Sequence, residues 1–343
     1  MSTATPEIWI NTVADPIGGA EHARHLEAAG FDGLVVVDSQ CIAPDPFVGL
    51  AVMAGATTTI GLGTGVSNPV TRHPAALAAA AASVAAVSGG RMVLGIGRGQ
   101  SANFEIGLPP APLEQFRRYL LELCAYARGE QIDQHGTPSS LRWLRHFGSP
   151  SFPIEVACTG PKIIAMAAGV ADRLAFSVGA DPERVRWAVG VARQARRDAG
   201  LDPEALPLSA YVQAFPHPDL DRAVELARGT VSSMAQFSGM AGNSGDGQRP
   251  EDREQFLLID RTYEKRKHTM GRARHARAID PDFVQRFAAV GPVGQVIERL
   301  GAVVDAGIDR LYLSFPSLDN DPGDTAESDR LLVDEVLPAL RAR

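Results

Sequence analysis

Cysteine is scarce, with Cys41, Cys124 and Cys158 the whole complement of a 343-residue chain. An odd number without C-x-x-C spacing indicates neither a disulfide framework nor a zinc knuckle. Lysine is just as rare, with Lys162, Lys265 and Lys267 alone, and arginine carries the rest of the positive charge. The 33 basic and 40 acidic side chains leave a net charge of −7, which argues against nucleic acid or an anionic membrane as partner. No apolar run is long enough to span a bilayer. The Ala-rich stretch Pro74 to Val87 is too short, and its Pro suits the first position of a helix. Met1 to Ile8 shows no basic region followed by an apolar one, so no signal peptide is read and a cytoplasmic location is expected by default. G-x-G-x-x-G and Walker A strings are missing too, which removes the usual dinucleotide and P-loop signals.

What is present is a repeated unit. Residues 28–37 read AAGFDGLVVV, 167–177 read AAGVADRLAFS and 305–314 read DAGIDRLYLS. Each is a helix end, a glycine suited to the left-handed position after it, a polar turn and a buried apolar strand. Near-continuous apolar strands such as Leu34 to Val37 indicate a parallel sheet covered on both faces. Strands are expected at 8–13, 33–38, 60–66, 92–97, 153–157, 172–177, 208–215 and 310–315, with helices between them. Eight such strands favour a (β/α)8 TIM barrel of the α/β class over a doubly wound sheet. The expected organisation is one barrel domain over 1–343, interrupted by insertions at about 132–150 and 234–290. Loops that long within a domain are usually lids or disordered excursions.

Barrels of this kind keep their chemistry at strand C-termini. The candidates there are Asp38, Ser39 and Gln40 after strand two, and Gly65, Val66, Ser67 and Asn68 after strand three. Gly97, Arg98, Gly99 and Gln100 follow strand four, Cys158 to Lys162 follow strand five, and Ser177 ends strand six. Thr159-Gly160-Pro161-Lys162 joins free amides, a positive helix end and a lysine, a cradle for phosphate. The same string reads equally as a plain helix start with Pro at its first position. Asp38 reads alike as a site acid or a capping residue. Arg72 and His73 fit structural roles before the helix at Pro74. His22 and His25 fit a solvated helix face better than a metal site. Cys158 fits a small buried residue, and the basic run from Lys265 through Arg277 a solvated face.

The string GLGTGVSNPVTRHP…SGGRMVLGIGRG resembles the luciferase-like family of flavin and deazaflavin oxidoreductases, in particular its coenzyme F420-using branch with methylenetetrahydromethanopterin reductases and glucose-6-phosphate dehydrogenases. The resemblance extends over nearly the whole chain, through AAGFDGLVVVD, CTGPKIIAMAAGVADRL and GPVGQVIERLGAVVDAGIDRLYLS. It implies an acid at the cofactor ring (Asp38) and a strand-three bulge, commonly with a cis peptide, behind the ring (Gly65-Val66). It further implies a polar neighbour (Asn68), a loop beside the ring and ribityl chain (Gly97, Arg98, Gly99, Gln100) and a phosphate turn at Thr159 to Lys162, flanked by Cys158 and Ser177. Two positions depart from the sugar-phosphate dehydrogenases. Ser39 stands where they carry His, and Gln100 where they carry Glu, so their acid/base chemistry is not expected here. Asp38 is then the first choice for a proton partner.

The expectation is an F420-dependent oxidoreductase that passes hydride between the deazaflavin and a small organic substrate, with no metal and, by the resemblance, a homodimer. FMN is the alternative cofactor, in a monooxygenase of the same fold. A cofactor-binding or cofactor-free member without catalysis is the alternative of another class. A Schiff-base aldolase fits less well, because Lys162, the only strand-end lysine, opens a helix.

Overall fold

The apolar runs become parallel strands in the computed structural model, which describes residues 5–148, 150–239 and 247–343. The barrel strands are β1 (Glu7–Thr12), β2 (Gly33–Val36), β3 (Gly61–Thr64), β4 (Met92–Ile96), β5 (Ile154–Cys158), β6 (Arg173–Phe176), β7 (Leu208–Val212) and β8 (Arg310–Leu313). They close in chain order, with β8 back beside β1. Glu7 pairs with Arg310 and Leu34 with Leu62, both in parallel register. Several helices begin on an acid–proline pair. Asp45, Asp181, Asp280 and Asp321 each accept amides of the first turn, and His73 does the same for Pro74–Ser88. No helix among the described residues is long and apolar enough to cross a membrane.

Two expectations need correction. The run 208–215 is two strands, because after β7 the chain breaks at Gln213 and Ala214–Pro216 pairs in parallel with Ala289–Gly291 outside the barrel. The basic run is not one solvated face. Lys265 to Lys267 form an exposed turn, but His268 is half-buried and His275 is fully buried.

The chain divides into two compact units. The first holds Met1–Ile10, Cys158–Ala165 and Ala175–Arg343. In it the helix Leu220–Gly239 packs with Pro250–Thr262 and Pro281–Phe287 around Phe256, Phe283 and Phe287. At its strand starts, Arg310 lies 4.0 Å over Trp9 and 2.6 Å from Glu7, while Tyr211 stacks on Tyr312.

The second unit holds Asn11–Ala157 and Met166–Leu174. The turn entering β3 is fixed from both sides. Its amides at Thr58, Thr59 and Ile60 donate to Glu27 Oε1, at 2.9, 2.6 and 3.0 Å. Arg91 donates to the carbonyls of Ala54, Thr57 and Ile60. Desolvation raises the Glu27 pKa, but these donors outweigh it and hold the carboxyl at about 2. Glu27→Ala is expected to cost about 2 kcal/mol, a value typical of hydrogen bonds to a charged group, read from urea midpoints at neutral pH. Because the folded pKa lies below the unfolded one, this stabilisation is complete above pH 4.5 and fades as pH falls towards 2. The variant's stability should therefore vary less than the wild type's across that window.

Candidate active site

Strand β3 ends at Thr64, but the chain rejoins β4 at Ser67, which bridges Ile96 in parallel. Gly65 and Val66 bulge out between them, and the peptide joining them is cis. The bulge is tied on both sides. Gly65 N donates to Val36 O at 2.8 Å, Ser67 N to Gly95 O at 2.9 Å and Gly97 N to Ser67 O at 2.9 Å. Two glycines of β4 and its end allow this crowding. A Cβ on Gly95 would overlap the Thr64 carbonyl oxygen, and one on Gly97 would stand 3.0 Å from Val66.

The bulge turns Ser67 towards Asp38. The Ser67 hydroxyl donates to Asp38 Oδ2 at 2.6 Å, Gln40 Nε2 donates to Oδ1 at 2.7 Å, and Arg72 Nε stands 3.6 Å from Oδ2. Asp38 is 2 % exposed, and a carboxylate so buried needs such partners. Arg72 is itself braced. It donates to Asp45 at 2.6 Å, lies 5.0 Å over the Phe47 ring, and its carbonyl accepts the Tyr119 hydroxyl at 2.8 Å. Desolvation disfavours the Arg72 charge, but Asp45 and Asp38 more than offset it and its pKa rises. Burial pushes the Tyr119 phenol up.

Besides Arg72 Nε, which faces Asp38 at 3.6 Å without a hydrogen bond, Gln40 Oε1 and Asn68 Nδ2 are buried without hydrogen-bond partners among the described residues. Their identities follow from the other ends. Gln40 spends its amide nitrogen on Asp38, and Asn68 spends its oxygen on Val70 N, Thr71 N and Thr71 Oγ1. An acceptor and a donor are thus left for a ligand. Gly99, at φ +75°, presses on Asn68 so closely that a Cβ would stand 2.7 Å from the Asn68 Cβ. Asn103 braces the same loop by donating to Gly99 O at 3.0 Å and Pro109 O at 3.2 Å.

Sequence reasoning placed Ser67 at the strand-three end without a role and took Arg72 as structural; both are partners of Asp38. Asp38 is no cap. Ser39 and Gln100 receive amides on their carbonyls, from Ile42 and Ala43 and from Asn103, and neither is among the Asp38 partners. Arg98 Nε is spent on the Ala111 carbonyl at 2.7 Å. His73 caps its helix, and His22 contacts Thr12 Oγ1 on an exposed face. No cluster of metal-ligating side chains occurs among the described residues.

In the first unit, Cys158 ends β5 buried, with Sγ 3.7 Å from Ala175 O. Ser177 N donates to Cys158 O at 2.9 Å, and Thr159 Oγ1 donates to Ser177 O at 3.3 Å. The helix Pro161–Ala168 makes its first internal bond from Ile164 N to Gly160 O. The amides of Lys162 and Ile163 precede that bond and Pro161 has none, so among the described residues the positive helix end is left without acceptors beside an exposed Lys162.

Residues 6–310 match the family model described as luciferase-like monooxygenase. The chain is 26% identical over 302 residues to 5,10-methylenetetrahydromethanopterin reductase of Archaeoglobus fulgidus, covering 85% of this chain and 86% of the relative. It is 28% identical over 333 residues to F420-dependent glucose-6-phosphate dehydrogenase of Beutenbergia cavernae, covering 92% and 91%. The coenzyme F420-dependent tetrahydromethanopterin reductase structure from Methanopyrus kandleri superposes with a TM-score of 0.74 at 19% identity, over 98% of this chain and 100% of that one.

Proposed function

Because the chain belongs to the luciferase-like monooxygenase family, whose model spans residues 6–310, we propose that it is an F420-dependent oxidoreductase acting on a small organic substrate. The observation that carries this reading is the buried acid at the end of β2. Asp38 is fixed by Ser67, Gln40 and Arg72, and the family resemblance implies an acid at the deazaflavin ring in this position.

The residues fit such a ring. A deazaflavin edge carries carbonyls and an N–H, and Gln40 Oε1 and Asn68 Nδ2 supply one acceptor and one donor without protein partners. The Gly65-Val66 bulge would support the ring, with Gly97, Arg98, Gly99 and Gln100 beside it. Separately, the open amides after Thr159-Gly160-Pro161 and the Lys162 side chain would hold phosphate. When bound, the cofactor supplies two-electron hydride chemistry; the protein's share is orientation and electrostatics.

Titration of the purified protein with F420 and with FMN tests the proposal. Saturable binding of F420 in preference to FMN is expected. Tight binding of FMN alone would replace the proposal with a flavin-dependent monooxygenase, and binding of neither with a member that does no catalysis.

A further inference from the structure

Both oxygens of Asp38 already receive donors. Ser67 Oγ donates to Oδ2 at 2.6 Å and Gln40 Nε2 to Oδ1 at 2.7 Å, with Arg72 Nε 3.6 Å from Oδ2. A buried carboxylate held in this way is an acceptor, and it orients whatever donates to it.

Gln40 is the amide it orients. An amide end has a donor side and an acceptor side, and a carboxylate takes only the donor side. Turned the other way, Gln40 Oε1 would face Asp38 Oδ1 at hydrogen-bond distance with no proton between them. Oε1 is therefore left over as an acceptor, buried and without a partner among the described residues. Asn68 has the opposite polarity for an equally firm reason. The amides of Val70 and Thr71 and the Thr71 hydroxyl donate to its oxygen. That leaves Nδ2 as a donor without a partner, on a side chain 1 % exposed. Ser67 and Asn68 are consecutive, so one carboxylate ties the acceptor at the end of β2 to the segment after β3 that carries the donor. All of these residues belong to the second unit.

An acceptor and a donor withdrawn from water select a ligand that fills both and reject one that leaves either empty. The oxidised ring of a deazaflavin or a flavin carries a single ring N–H, with a carbonyl on each side of it. The ring hydroxyl of F420 has no carbonyl beside it, so it would fill the acceptor alone. The imide edge is the part of the ring that suits the pair.

We infer that Gln40 is the specificity-determining residue of the ring site, a set acceptor for the imide N–H with Asn68 donating to a neighbouring carbonyl, and that Asp38 is a positioning residue acting through Gln40. This rests on the cofactor reading proposed above. It applies to F420 and FMN alike, because both carry the imide.

The test measures affinity, by fluorescence, for F420, for its riboflavin-like chromophore and for the N3-methyl derivative of that chromophore, with FMN and N3-methyl-FMN in parallel. Wild type should bind the unmethylated form about 10–100-fold more tightly than the methylated one, the usual effect of leaving a buried acceptor unpaired. This comparison needs no variant. Gln40→Ala removes the acceptor together with its bulk, so the two forms should bind it with nearly equal affinity. Asp38→Asn offers Gln40 a donor as well as an acceptor, so the polarity of Gln40 is no longer set. Alone it should weaken F420 binding about tenfold; in the Gln40→Ala background it should weaken it far less, because the residue it works through is gone. Circular dichroism shows that each variant is folded. Equal binding of the two forms by wild type would overturn the specificity role and leave the F420 reading standing. Additive effects of Asp38→Asn and Gln40→Ala would overturn the positioning role. Failure of wild type to bind either F420 or FMN removes the cofactor reading, and this inference with it.

Discussion

Asp38→Ala is expected to weaken F420 binding about a hundredfold, equivalent to about 2.7 kcal/mol, and to be the most damaging single change at the rim of β2. Three groups lose their acceptor at once: the Ser67 hydroxyl, the Gln40 amide and the Arg72 guanidinium. Arg72 keeps Asp45, so its charge is not stranded and the chain should still fold. The loss at the ligand is indirect as well as direct. With no carboxylate to receive its Nε2, Gln40 is free to turn its amide, and the acceptor it now presents is no longer fixed. Asp38→Asn separates the two effects. It keeps the volume but loses the charge and the preference for donors, and should weaken binding about tenfold, roughly 1.4 kcal/mol. The check is F420 affinity alongside the melting curve. Wild-type affinity in folded Asp38→Asn would remove the acid from the ring.

Gly95→Ala should destabilise the chain more than any surface change, by at least about 3 kcal/mol or to the point of insolubility. The added carbon would overlap the Thr64 carbonyl oxygen, which is backbone and cannot swing aside. Moving β4 away would also break the Gly95 carbonyl's bonds from Ser67 N and Thr64 Oγ1, at 2.9 and 2.6 Å. Those bonds hold the bulge that aims Ser67 at Asp38. Gly190→Ala is the control, because nothing stands within 4 Å of its Cβ position in the helix Pro182–Asp198. There the change should stabilise by about 0.5–1 kcal/mol through helix propensity. Urea midpoints of the two variants give the comparison; similar values would contradict the packing account of β4.

The barrel was legible because its signals are local. A helix end, a glycine, a polar turn and an apolar strand lie within ten residues, and helix starts such as Asp45-Pro46 carry their cap with them. The Gly65-Val66 bulge was expected only through the family resemblance of the string around it, not from its composition. Partners distant in sequence were not legible. Ser67 and Asp38 are 29 positions apart, and no periodicity links them. Arg72 looked structural for the same reason, since its neighbours in sequence are a threonine and a helix cap. The strand Ala289–Gly291 is three residues long, too short for an alternation to show, and its pairing with Ala214–Pro216 made one apolar run into two elements. In the insertion, exposed Lys265, Arg266 and Lys267 masked the half-buried His268 beside them and the buried His275 further on, because charge dominates a short window.

A crystal structure of the protein soaked with F420 tests the central claim most directly. The claim requires the deazaflavin ring at the end of β2, hydrogen-bonded to Gln40 Oε1 or Asn68 Nδ2, with Asp38 at its edge and the Gly65-Val66 bulge against its face. A ring bound elsewhere, with Gln40 and Asn68 still unpartnered, would contradict it.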